Sequence, residues 1–109
     1  MHSREKEQGK SVFSARERKI FGQLAALAKA YGVERIALFG SRARRTHYDK
    51  SDFDLAVYGC QNFIDFSFDV EESIDTLLKF DLIDMSDEKI STDLLADIER
   101  DKVIVYEKI

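Results

Sequence analysis

The sequence predicts one α/β domain, a mixed β-sheet of about four strands with helices packed on one face and the other face left open as a cleft. Two observations predict this fold. Apolar residues recur at helical spacing in three segments, and four shorter apolar or alternating runs lie between and after them. The chain has 109 residues and a hydrophobic fraction of 44%, which allows one buried core and leaves no room for a second domain.

The first helix is predicted close to the N-terminus. Residues 1–12 are polar and lack periodicity, so we expect a disordered or loosely ordered extension ahead of a single domain over residues 13–109. Ser14 and Glu17 have the spacing of a capping box, which predicts a helix start, and Gly32 is expected to end the helix. Its core-facing stripe consists of Ile20, Leu24, Leu27 and Tyr31.

The apolar run IALF at residues 36–39 predicts the first strand, from Arg35 to Phe39. This strand stops at a turn formed by Gly40 and Ser41. Free backbone N–H groups in such a turn can hold an anion, and a helix N-cap is expected there. A short helix or turn follows, and it adds three fixed positive charges where a phosphate chain would lie. These charges belong to Arg42, Arg44 and Arg45.

Ten residues separate this turn from Asp52 and Asp54, which open a second predicted strand that runs to Tyr58. Because side chains alternate along a strand, both carboxylates project from one face, with Cα atoms roughly 6.5 Å apart, and can share a divalent metal ion. Alone, an Asp-x-Asp pair is often only the solvated face of a strand. Its combination with Gly40 and Ser41 at this spacing is expected by chance on the order of once in a thousand. The side chains expected in the core are Phe53, Leu55 and Val57.

A third strand, predicted from Lys79 to Met85, holds two candidate carboxylates of opposite parity. If Phe80 and Leu82 pack on the helices, Asp81 projects into the cleft with the paired aspartates of the second strand. Asp84 then faces the other way. We expect a structural role for it, as a cap beyond the end of the strand.

The remaining elements are two helices and a last strand. A helix is predicted from Asn62 to Leu78, another is capped by Ser91 or Thr92, and the last strand covers Val103 to Tyr106. The longer helix has an apolar stripe of Phe66, Val70, Ile74 and Leu77.

Charge and composition narrow the class of protein. Residues 1–60 carry 12 basic and 7 acidic side chains, whereas residues 61–109 carry 5 basic and 14 acidic ones. An acidic second half argues against binding of extended nucleic acid. Without an apolar run of about 18 residues or a signal peptide, we expect no membrane association and a cytoplasmic location. We expect His47 to be solvated, and Cys60 is assigned no chemistry.

The stretch from Val33 to Val57, VERIALFGSRARRTHYDKSDFDLAV, resembles the signature of the minimal nucleotidyltransferases, small relatives of the DNA polymerase β superfamily. The resemblance continues through residues 80–83 and 98–107. One position differs, because the family commonly has glycine after Arg-Ala-Arg and this chain has Arg45. The shape of the following loop is therefore open.

The resemblance implies a nucleotidyltransferase fold and transfer of a nucleoside monophosphate, AMP in particular, from ATP or another nucleoside triphosphate to an acceptor hydroxyl. It implies that Asp52 and Asp54 bind one or two Mg²⁺ ions, and that Asp81 completes the second metal site and helps to deprotonate the acceptor. The phosphate-binding groups would be Gly40, Ser41 and either Arg42 or Arg44, with Arg42 the first choice.

The resemblance also implies a partner. After the three aspartates only about 25 residues remain, enough to complete the sheet, so the acceptor has to be presented by another molecule. In the family, a small helical protein of the HEPN type supplies it, in some systems as a toxin that AMP transfer neutralises. Two alternatives stay open: a working enzyme, or a non-catalytic nucleotide-binding antitoxin that neutralises its partner by contact. Assembly with a second copy or with a different protein is compatible with either.

Overall fold

The computed structural model describes residues 12–74 and 76–109, so the expected extension lies outside the described residues except for Val12. None of the described helices is long and apolar enough to span a lipid bilayer. The elements follow one another as α1 (Ala15–Ala30), β1 (Arg35–Phe39), α2 (Ser41–Arg44), β2 (Phe53–Tyr58), α3 (Phe63–Ser73), β3 (Phe80–Asp84), α4 (Thr92–Asp101) and β4 (Val103–Glu107).

The four strands form one mixed sheet in the order β3-β2-β1-β4. β1 pairs antiparallel with both β2 and β4, whereas β2 and β3 run parallel. A parallel pair needs a crossover connection, and α3 provides it. The predicted mixed α/β sheet is confirmed, and its central strands carry the glycine-serine turn and the paired aspartates.

α1 and α3 pack on one face of the sheet and enclose the main core. Its fully buried side chains include Leu24, Ile36, Leu38, Phe53, Leu55, Val57, Phe66 and Val70. α1 begins as predicted: Ser14 Oγ accepts from Glu17 N at 3.1 Å, and Ser14 N donates to Glu17 Oε1 at 2.9 Å. The helix ends before Gly32, whose φ of 69° is in the left-handed region.

α4 packs on the second face of the sheet, which carries the aspartates. Ile98 is completely buried there against Ala37, Phe39 and Ala56. Ser91 caps the helix by accepting from Leu94 N at 3.1 Å. The face expected to be open is thus divided, since α4 covers its middle and the region where β2 and β3 begin remains accessible.

A helix was predicted from Asn62 to Leu78, and the prediction is wrong at the C-terminal end, because α3 stops at Ser73. The chain has already left the helix at Ile74, whose φ of −88° and ψ of 116° are extended. A local turn, in which Leu78 N donates to Thr76 Oγ1 at 3.1 Å, replaces the last helical turn. Leu77, expected in the buried stripe, is 98% exposed.

Candidate active site

The turn after β1 brings the backbone close to the second strand. Gly40 has a φ of 77°, a conformation that favours glycine, and stands at the capping position of α2, so that Ser41 is the first helical residue. A Cβ built at position 40 would overlap the carboxylate of Asp54 and lie 3.0 Å from its Cγ. Glycine is therefore required twice here, for the backbone conformation and for the space that the carboxylate occupies.

The predicted aspartates lie on one edge of the second face. Asp54 is the register partner of Phe39 in β1 and of Asp81 in β3. Phe80 and Leu82 on either side of Asp81 pack in the main core. The side chain of Asp81 therefore projects from the second face of the sheet, as predicted from the sequence. Asp52 immediately precedes β2 and is exposed.

The electrostatics of Asp54 reflect this gathering of acids. Burial raises the pKa of its carboxyl, and the negative charges of Asp81 and Asp52 raise it further. The charge of Arg44 acts in the opposite direction but does not cancel the shift. The edge formed by Gly40, Asp52, Asp54 and Asp81, called the acidic edge below, therefore favours a bound cation.

The chemistry of these donors fits a divalent ion, since Mg²⁺ prefers carboxylate oxygens. Within residues 12–74 and 76–109, however, no three His, Cys, Asp or Glu side chains are arranged to hold a metal ion. Asp52, Asp54 and Asp81 thus provide ligands of the right type and excess negative charge, without a closed coordination shell.

The structure places Arg42 away from the acidic edge, contrary to the expectation that it is the first phosphate-binding arginine. Its side chain is 4% exposed, and its guanidinium donates to Glu17 Oε2 at 2.8 Å and to the carbonyl oxygens of Asp49 and Ser51, both at 3.0 Å. It also lies 4.2 Å from the centre of the Phe53 ring. Arg42 therefore fixes the connection that leads into Asp52, and its guanidinium has no donor directed at a phosphate.

Arg44 is the arginine on the side of the acidic edge. Its side chain is 43% exposed and pairs with Asp101 of α4 at 2.5 Å. The hydrogen bonds from Arg100 and Arg44 outweigh the effect of burial and lower the pKa of Asp101 to about 2, so Asp101 stays charged. This ion pair holds Arg44 where its charge reaches Asp54.

A family model described as "Polymerase beta, Nucleotidyltransferase" matches residues 23–109. The chain belongs to this nucleotidyltransferase family. The family resemblance noted in the sequence is confirmed at this level. A search of curated proteins finds no match to the chain.

Three solved structures share the fold of this nucleotidyltransferase. A toxin–antitoxin complex with AMP-PNP is 21% identical, with a TM-score of 0.62 over 81% of this chain and 73% of that one. A mutant of the toxin–antitoxin complex MntA–HpeT is 18% identical, with a TM-score of 0.59 and the same shares of the two chains. A protein from Sulfolobus solfataricus described as a nucleotidyltransferase is 22% identical, with a TM-score of 0.55 over 85% and 82% of the chains. These likenesses extend the agreement in fold to most of the chain.

Glu17 has a second role that the capping box did not predict. It is 2% exposed and accepts hydrogen bonds from Arg42 and from both terminal nitrogens of Arg45. Burial alone would raise the pKa of its carboxyl, but hydrogen bonds from Arg45, the Ser14 backbone and Arg42 lower it from 4.5 to about 2. No local sequence pattern links Glu17 to arginines at least 25 positions away.

Two residues of the following loop complete the surroundings of Glu17. Arg45 has a φ of 61°, the conformation that glycine adopts most easily, which accounts for the glycine common in the family at this position. His47 was expected to be solvated, but its side chain is 18% exposed, with Nε2 3.7 Å from Glu17 Oε2. Burial and the charges of Arg45 and Arg42 lower the pKa of His47.

Asp84 lies at the end of β3 with the parity opposite to that of Asp81. Its Oδ1 accepts from Ser86 N at 3.0 Å, and its carbonyl oxygen accepts from Asp87 N at 3.0 Å. Its carboxylate thus caps the turn that follows β3.

Proposed function

We propose that this nucleotidyltransferase moves AMP from ATP to a hydroxyl group of a small helical partner protein of the HEPN type, and thereby acts as an antitoxin. The observation that carries the proposal is the acidic edge. There Asp54 and Asp81 are register partners on the neighbouring parallel strands β2 and β3, and Asp54 lies directly beside the Gly40 turn. Backbone groups that could bind phosphate thus lie beside carboxylate oxygens that could bind a cation. Transfer of a nucleotide requires both, because negative charge develops on the phosphate oxygens.

The donor nucleotide would be held by the turn. The backbone at Gly40 and Ser41, together with the Ser41 hydroxyl, would bind the β- and γ-phosphates, and Arg44 would add its charge. Because Asp54 packs against Gly40, the turn and the carboxylates keep a fixed relative position. Arg42 would support this arrangement from behind, by holding the connection that ends at Asp52.

The aspartates would hold the metal and handle the proton. Asp52 and Asp54 would bind Mg²⁺, with Asp81 completing a second site, and the bound metal supplies charge neutralisation at the α-phosphate and at the departing pyrophosphate. Asp81 would accept the proton of the attacking hydroxyl as general base. The hydroxyl oxygen bonds to the α-phosphorus while the bond to the β-phosphate oxygen breaks, and pyrophosphate leaves.

The acceptor is proposed to be a separate protein that this chain binds, and not a part of the chain itself. Among the described residues, the segment after β3 forms α4, which covers part of the second face, and β4, which completes the sheet. Two of the structural neighbours come from toxin–antitoxin complexes, one of them determined with AMP-PNP. In the other, two aspartates two positions apart are changed to glutamate, the same spacing as Asp52 and Asp54 here.

The test is transfer of label. ATP labelled at the α-phosphate is incubated with Mg²⁺, this protein and the proposed small helical partner, and the label is expected on that partner. Asp54→Asn is expected to abolish the transfer. A tight complex that takes up no label with any divalent ion would support neutralisation by contact instead. Calorimetry of Mg·ATP with Asp52→Asn and Asp54→Asn tests the metal assignment, which fails if both variants bind as wild type does.

A further inference from the structure

Asp52 lies at one end of a groove that continues from the start of β2 along the first turns of α1. Two depressions of about 570 and 320 Å³ share Arg16 and Leu77 in their walls, so they form one continuous groove. Four of its lining side chains are basic and come from α1, the connection before β2, and the segment before β3. The basic residues are Arg16, Lys19, Lys50 and Lys79, the two acidic ones are Asp49 and Asp52, and we call this surface the basic groove.

The cations of the basic groove differ from most other Lys and Arg side chains of the described residues. All four are exposed, and none has an ion-pair partner among the described residues. Elsewhere in those residues, Arg35, Arg42, Arg44, Arg45, Arg100 and Lys102 each have a carboxylate within 4 Å. Four basic against two acidic side chains leave the groove with excess positive charge, which a bound anionic group would offset.

The lining of the basic groove indicates which anion fits. None of the lining residues is aromatic, whereas surfaces for single-stranded nucleic acid stack bases on aromatic rings. Apolar side chains instead lie among the cations, and Leu77 is 98% exposed. Alternating cationic and apolar contacts suit a peptide that carries acidic and apolar side chains.

We propose that the basic groove binds an acidic segment of the acceptor protein and directs its hydroxyl-bearing side chain to Asp52. This inference rests on the proposed transfer to a protein hydroxyl, because it names the surface that recognises that protein. Charge attraction would bring the acceptor to the acidic edge from the side where Asp52 is exposed. The groove would thus supply the acceptor-binding surface that the sheet itself lacks.

Fluorescence anisotropy of the full chain tests the groove without any need for catalysis. The probe is a labelled peptide of 14 residues made of glutamate and leucine with one central tyrosine, and the comparison is a labelled uridine RNA of 14 nucleotides. Lys19→Glu with Lys79→Glu is expected to raise the Kd of the peptide at least tenfold. Lys89→Glu with Lys108→Glu changes the net charge equally outside the groove, and is expected to alter the Kd less than twofold.

Binding of the peptide is expected to weaken as the salt concentration rises, because exposed charges are screened. The inference is overturned if the peptide does not bind, if both double variants weaken it equally, or if only the RNA binds. Circular dichroism establishes that each variant is folded. Calorimetry of the wild type with Mg·ATP separates the two proposals. If Mg·ATP binds but the peptide does not, only the proposal about the basic groove is wrong. If Mg·ATP does not bind, the proposed function is wrong.

Discussion

The carboxylate of Asp54 lies against the Cα of Gly40, so closely that no side chain can be added at position 40 without moving it. The two residues belong to antiparallel neighbours, since Asp54 pairs with Phe39 at the end of β1. The glycine-serine turn and the strand that carries the paired aspartates therefore pack directly on each other, and a change in one is transmitted to the other.

Gly40→Ala is expected to abolish binding of Mg·ATP, measured by calorimetry, because the new methyl group displaces the carboxylate of Asp54. Gly32→Ala is the matched control, since Gly32 also has a positive φ, 69°, but a Cβ there meets nothing within 4 Å. Gly32→Ala should lose about 1–2 kcal/mol in the free energy of unfolding from backbone strain, and Gly40→Ala should lose more, because its φ of 77° and ψ of −158° lie in a region essentially limited to glycine. Equal loss of Mg·ATP binding in both would contradict the role of the Gly40 contact.

Glu17→Gln is expected to lower the free energy of unfolding at pH 7 by about 3 kcal/mol, because Arg42 and Arg45 lose a buried carboxylate. A carboxyl whose pKa is lowered by folding stabilises the protein above its ordinary pKa of 4.5 and loses that effect as the pH falls toward its folded value of about 2. The difference between wild type and variant should shrink over that interval in denaturant titrations. Glu99→Gln, which affects an exposed pair with Lys102, should cost less than about 1 kcal/mol throughout.

Substitutions at Arg42 and Arg44 are expected to have different effects, the first mainly on stability and the second mainly on nucleotide binding. Arg42→Lys should cost about 3 kcal/mol in unfolding free energy, because lysine cannot satisfy Glu17 and two carbonyl oxygens together. The affinity of the folded protein for Mg·ATP should fall only about threefold, through the loosened connection to Asp52. Arg44→Gln should lower that affinity about tenfold and leave stability within about 1 kcal/mol. The reverse pattern would restore Arg42 as a phosphate ligand.

Asp81→Asn is expected to reduce AMP transfer by a factor of about 100 or more, the usual cost of losing a general base or metal ligand. The fold should persist, since the amide has the same size and relieves repulsion with Asp54. Asp84→Asn should change transfer only a few fold, because its contact is with the Ser86 backbone. Transfer assays on both variants check this, and loss of activity only in Asp84→Asn would invert the assignment.

Local pattern was sufficient for much of the fold. The first strand was predicted with its observed bounds, Arg35–Phe39, and the capping box of Ser14 and Glu17 was predicted as it occurs. The alternation of side chains along β3 predicts the sheet face from which Asp81 projects. Because Phe80 and Leu82 pack in the main core, Asp81 has to project from the opposite face. These features depend on residues within a few positions of one another, and that is the range over which periodicity and capping act.

What could not be predicted depends on contacts between distant segments. Arg42 follows the Gly40 turn in sequence, yet Glu17 and Phe53 hold its guanidinium on the opposite side of the sheet from Asp54. The end of α3 at Ser73 is set by the path into β3, and the helical spacing of Leu77 carries no information about that path. Sequence patterns identify the chemical groups, while tertiary packing decides which of them face the same space.

Ile98 closes the sheet above Ala56, two positions from the partly exposed Asp54 on the same strand. With α4 on that side, the part of the acidic edge left accessible among the described residues lies at the ends where β2 and β3 begin. Under the proposed transfer both substrates would approach from there, and a nucleotide that binds at the inner end beside Gly40 would enter before the acceptor fills the outer end at Asp52. Steady-state kinetics should then follow a compulsory order, with the nucleotide first and pyrophosphate retained until the modified acceptor departs.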